Sequence, residues 1–142
     1  MSTPFHLVLP RQFYTAMLEQ AQAELPNECC GLLAGRIVDG VARVEMRYPL
    51  VNELASPIEY NADAKSLIAA HKDMRARGIA ELAAYHSHPT TAPIPSKTDR
   101  ERNFFGTEIL FLIIGLAEQP PLVRAWRLHT DSQEEVDWQV VD

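Results

Sequence analysis

The chain has 142 residues, 46% apolar and 23% charged, with a net charge of -6 at neutral pH. That length buries a real core without cross-links, and an acidic balance with no basic run argues against a nucleic-acid partner. The two cysteines, Cys29 and Cys30, are neighbours and cannot build a disulfide framework, so a reducing compartment is expected. The first residues show no charged n-region, and no stretch approaches the roughly 18 apolar residues of a membrane span. The expectation is a cytoplasmic protein.

In chain order, Phe5 to Leu9 reads as a short strand, and Pro10 opens a helix. Phe13, Met17, Leu18, Ala21 and Leu25 recur at helical spacing until Pro26. Cys30 to Ile37 is almost wholly apolar or glycine, as in a strand buried on both faces. Asp39-Gly40 signals a hairpin. In the returning strand, Ala42, Val44, Met46 and Tyr48 are expected inward, with Arg43, Glu45 and Arg47 outward.

Asn52 to Ser56 reads as a loop and Ile58 to Tyr60 as a short extended piece. Asn61 is the expected N-cap of a second helix running to Arg77. Ala64, Leu67, Ile68, His71 and Met74 form its apolar stripe, and Gly78 its C-cap. Glu81 to His88 is a strand, Pro89 to Pro95 a proline-rich loop, and a short helix starts near Ser96. Glu108 to Leu116 and Leu122 to His129 are core strands. Val136, Trp138 and Val140 alternate in one last, half-buried strand. With no internal repeat or linker, residues 1–142 read as one α/β domain, a mixed sheet flanked by helices.

The chemistry concentrates in His86-Ser87-His88-Pro89 and Ser96-Lys97-Thr98-Asp99. Two histidines one residue apart on a strand share a face, about 6.6 Å apart along it. Pro89 ends that strand, which leaves room for a loop to fold over the pair. Ser96 and Asp99 face one way in a first helical turn. Two imidazoles and a carboxylate with an open fourth position suit catalytic zinc. Ser96 to Asp99 reads equally well as a capping box that needs no metal. From the residues alone both readings stand.

Together these residues resemble the JAMM (MPN-plus) metalloprotease motif: His-Ser-His-Pro, then a serine after seven intervening residues, then an aspartate after two more. Asn27-Glu28-Cys29-Cys30-Gly31-Leu32-Leu33-Ala34-Gly35 is similar to the segment that carries the family's upstream glutamate. The resemblance implies an MPN, cytidine-deaminase-like fold and a zinc ion with a bound water. It also implies His86, His88 and Asp99 as metal ligands, Glu28 as general acid–base and Ser96 as oxyanion donor. Spacing does not select Glu28 among the 19 acidic residues.

Asn52-Glu53-Leu54-Ala55-Ser56-Pro57-Ile58-Glu59-Tyr60 resembles a stretch of the small prokaryotic branch. That branch implies a peptidase or isopeptidase acting after the Gly-Gly tail of a ubiquitin-like or sulfur-carrier protein. Val51 and the following loop are the expected sheet edge for such a tail. The alternative is a non-catalytic MPN-type scaffold. Cys29 and Cys30 read as buried packing, with Cys30 on the face of Glu28. His71 reads as an ordinary partly buried histidine, and Trp126 and Trp138 as core residues.

Overall fold

The computed structural model describes residues 6–103 and 108–142. Phe5, expected to open the first strand, lies outside them. One eight-stranded mixed sheet organises the chain, in the order β7-β6-β5-β4-β2-β3-β1-β8. Its strands are β1 (His6–Pro10), β2 (Cys30–Val38), β3 (Val41–Leu50), β4 (Ala80–His88), β5 (Leu110–Gly115), β6 (Leu122–Leu128), β7 (Gln133–Val136) and β8 (Trp138–Val141). Helix α1 (Arg11–Ala23) covers one face through Met17 and Ala21, and α2 (Ala64–Arg77) covers the other through Ala70 and Met74. A short α3 (Lys97–Glu101) lies in the parallel crossover from β4 to β5.

Pro10 is the N-cap of α1 rather than its first residue, and the helix stops at Ala23, which leaves Leu25 beyond it and half exposed. Asp39 and Gly40 both take positive φ, 53° and 77°, as a tight hairpin between twisted strands requires. The expected alternation along β3 holds only to Val44. Ala34 pairs with Met46 and Gly35 with Val44, so Glu45 is an extra residue in a bulge. Beyond it the faces exchange: Val44 packs on the α1 side, Tyr48 on the α2 side. Arg47, expected outward, reaches Gln20 of α1 and Tyr85.

Asp63, not Asn61, caps α2: its carboxylate accepts the Ser66 N–H. An aspartate or asparagine serves equally as a cap, and Asn61 is committed to the preceding loop. Ala64 and Ile68 are exposed, and Ala70 takes the buried place on the stripe. Gly78 ends the helix at φ 69° as expected. Residues 58–60 form no strand, because the chain bends at Pro57 and Ile58.

The last strand is two strands. Val136 pairs through β6 and Trp138 through β1, at opposite ends of the sheet order, with only Asp137 between β7 and β8. In a flat sheet seven strand spacings would part those edges by about 34 Å. The two residue steps from Val136 to Trp138 span at most about 7 Å. The sheet therefore curls until its edges meet, and the Leu7 N–H reaches the Asp137 carbonyl at 3.5 Å.

Candidate metal centre

Near the middle of the sheet β4 and β5 run parallel, and ligands in such sheets collect beyond the carboxyl ends of the strands. His86 and His88 stand at that end of β4 and are both buried. Asp99 arrives from α3, over the same end. The His86 Nε2 and His88 Nε2 atoms are 3.2 Å apart. Asp99 places Oδ1 3.2 Å from His86 Nε2 and Oδ2 3.2 Å from His88 Nε2. Ligand bonds of about 2.0–2.1 Å to a tetrahedral zinc separate the donor atoms by about 3.3 Å. One donor atom from each of the three residues lies within 4.8 Å of the others, and the residues present fit the ion that the motif implies.

The supporting contacts favour the same use. His88 Nδ1 lies 2.9 Å from the Ala92 carbonyl, so a proton on Nδ1 is satisfied there and Nε2 is the nitrogen that would face a metal once bound. The His86 ring stacks on Tyr60, with centroids 4.6 Å apart. Burial alone would raise the Asp99 carboxyl. The charge of His86, hydrogen bonds from both histidines and the Ser96 N–H outweigh it and hold the carboxyl well below the usual range.

Ser96 is the N-cap of α3: its Oγ accepts the Asp99 N–H at 3.0 Å, while Asp99 Oδ2 accepts the Ser96 N–H at 2.9 Å. The capping box and the ligand set are therefore the same turn. The cap uses Ser96 Oγ as an acceptor, and the side chain is exposed, so its hydroxyl proton can still be donated.

Glu28 precedes β2. Cys30 pairs with His86, so two residues further along the antiparallel register Glu28 falls opposite His88, on the same face. The register is sealed by Ser87, between the two histidines. Its Oγ accepts the Cys29 N–H at 2.8 Å, and its own N–H donates to the Cys29 carbonyl at 3.2 Å. Glu28 is 4% exposed, and its Oε1 has no hydrogen-bond partner among the described residues. Burial pushes its carboxyl up to about 8, opposed by His88 and supported by Asp99 and Glu59.

Trp126 has a part that its sequence context concealed. Its indole N–H donates to the Pro93 carbonyl at 2.9 Å, and Pro93 packs on Gly115 at the end of β5. A Cβ on Gly115 would stand 2.7 Å from Pro93 Cδ, so glycine lets the loop dock there. That anchor holds the proline-rich loop between His88 and Asp99. Cys29 and Cys30 are buried with free thiols, which burial pushes up to about 12, far from a reactive thiolate. Cys30 shares the site face and Cys29 the opposite core, as expected. His71 is half-buried, bonded to the Leu67 carbonyl and near Glu81.

A cavity of about 280 Å³ adjoins the centre on the α2 side. Cys30, Leu32, Leu67, Ala84 and Phe111 line it, and Tyr60 and Asp99 form part of its wall.

A family model described as prokaryotic homologs of the JAB domain matches residues 10–129. The chain belongs to that family. Membership bears out the JAMM/MPN-plus resemblance and its mixed-sheet fold. The chain is 33% identical over 97 residues to the CysO-cysteine peptidase of Mycobacterium tuberculosis, covering 68% of this chain and 65% of that protein. It is 38% identical over 86 residues to the desampylase of Haloferax volcanii, covering 59% and 60%. The chain thus spans less than two thirds of the length of these curated relatives, 65% and 60%. Among solved structures, protein DSY2949 from Desulfitobacterium hafniense superposes with a TM-score of 0.87 at 36% identity, covering 96% of this chain and 93% of that one. Among the described residues no helix is long and apolar enough to cross a membrane.

Proposed function

We propose that this JAB-family domain, taken as residues 1–142, is a zinc-dependent peptidase or isopeptidase. Its substrate would carry the C-terminal Gly-Gly tail of a ubiquitin-like or sulfur-carrier protein. One observation carries the chemistry: three metal-type donors converge at 3.2 Å beside a buried carboxyl without a hydrogen-bond partner. His86, His88 and Asp99 hold the ion. When bound, zinc supplies a Lewis acid and lowers the pKa of a bound water toward about 7. Glu28, buried on the same face as His88, would accept a proton from such a water and return it to the leaving amine. Ser96 donates its hydroxyl hydrogen bond to the developing oxyanion.

The names of the relatives, CysO-cysteine peptidase and desampylase, support the substrate class. So do the exposed apolar side chains of Val51, Leu54 and Ile58 on the segment beside Glu28. Val51 itself cannot serve as a free sheet edge. Its N–H donates to Ser66 Oγ and its carbonyl accepts the Asp63 N–H. The docking edge instead falls to residues 46–50 of β3, which no described strand pairs on the β1 side. The adjoining cavity suits an apolar side chain near the scissile bond.

The test is cleavage of Gly-Gly-ended ubiquitin-like fusions by purified protein, with and without chelator. Chelator-sensitive cleavage is expected, restored by added zinc. Cleavage that persists in chelator would exclude this chemistry, and a folded protein that binds no zinc would point to a scaffold.

A further inference from the structure

We infer that Asn52 is a positioning residue that sets where the Glu28 carboxyl stands, by locking the loop between β3 and α2. The inference rests on the reading of Glu28 as the acid–base group. Asn52 lies two residues past the end of β3 and is 8% exposed. Its Nδ2 donates to the Glu28 carbonyl at 3.0 Å and to the Glu59 carbonyl at 3.1 Å. Its Oδ1 accepts the Leu54 N–H at 3.1 Å and the Asn61 N–H at 3.0 Å. Two donors and two acceptor sites are all that an amide offers, and here every one is used. One side chain thereby fastens the near limb of the loop, the far limb and the peptide of Glu28.

The sheet does not perform this task. Glu28 lies before β2, outside the strand ladder. Its carbonyl is held by Asn52 and its N–H by the Ser56 carbonyl, at 2.8 Å, so both peptide contacts come from this loop. The same loop touches the metal ligands. Tyr60 stacks on His86, and Glu59 pairs at 3.4 Å with Arg102, directly after the helix that carries Asp99. The loop therefore refers Glu28 to both ligand-bearing elements. Aspartate at position 52 would keep the acceptors for Leu54 and Asn61. It would also turn a carboxylate, which has no proton to give, toward two carbonyls.

The experiment uses Asn52→Asp and Asn52→Ala in the full chain. Zinc content and KM for a Gly-Gly fusion are expected to stay near wild type, while kcat falls about 10–100-fold, the usual cost of a lost supporting contact. A readout independent of turnover is amide exchange in metal-free protein. The Glu28 N–H bonds to Ser56, not to Asn52, yet its exchange should quicken in both variants. A folded variant with wild-type kcat would overturn the proposal. So would a kcat loss with Glu28 N–H protection unchanged, or one fully explained by lost zinc. If neither variant folds, exchange in the wild type decides: the Glu28 and Asn61 N–H groups should open together as denaturant rises, and separate openings would refute the lock. Wild-type protein inactive on every fusion would remove the reading of Glu28 as acid–base group, while the exchange data would still judge the lock.

Discussion

Glu28 should make the metal-free protein less stable as pH rises. Its carboxyl has an ordinary value of 4.5 and is pushed by burial to about 8 in the fold. Between those values the folded state holds a proton that the unfolded state has released. Stability therefore falls as pH climbs through that window. At 1.36 kcal/mol per pH unit the gap sets an upper bound of about 5 kcal/mol. Relaxation and water entry reduce such buried-charge costs, so about 2 kcal/mol is a fair expectation. Glu28→Gln removes the titration while preserving shape. Urea unfolding of chelator-treated protein from pH 5 to 9 should show the wild type losing about 2 kcal/mol, and at most about 4, relative to the variant as pH rises. Asp99 is shifted downward, so its linkage falls below about pH 4, outside this range. Stability curves of wild type and variant that stay parallel within about 0.5 kcal/mol across the range would refute the reasoning.

Ser96→Ala should lower stability by about 1 kcal/mol through loss of the cap and turnover by about 10²–10³ through loss of the oxyanion donor. Ser96→Asp, which keeps a cap acceptor but has no proton to donate, should restore the cap without the rate, as thermal melts and kinetics on one fusion would reveal. Trp126→Phe removes the indole bond to Pro93 and should cost about 1 kcal/mol, together with weaker zinc binding measured by competition with a chromophoric chelator. A Cβ at Gly31 would overlap the Tyr85 ring. Gly31→Ala should therefore destabilise by about 1–3 kcal/mol, read from urea midpoints.

Much of the site is legible in the residues because its geometry is local. His86 and His88 share a strand face by alternation alone, and Ser96 and Asp99 share a helical turn. The link between those pairs needed the resemblance, since Glu28 meets them through the β2–β4 register and the loop after β3, neither of which spacing reports. Trp126, Ser87 and Asn52 stayed hidden for one reason: each acts by bonding the main chain of a distant segment. Such bonds leave no periodicity and no spacing rule. The fold was missed where an inserted or intervening residue breaks the pattern. The Glu45 bulge exchanges the faces of β3, and Asp137 divides what reads as one alternating strand. An apolar–polar pattern reports that a residue is half-buried, but not which neighbour buries it.

A metal centre served by Glu28 is the core of the proposed chemistry. The most direct measurement is turnover of a Gly-Gly fusion by zinc-loaded Glu28→Gln protein, with metal content determined on the same sample. One zinc per chain and a loss of about 10²-fold or more in kcat are expected. A folded, zinc-loaded variant that turned over near the wild-type rate would contradict the account.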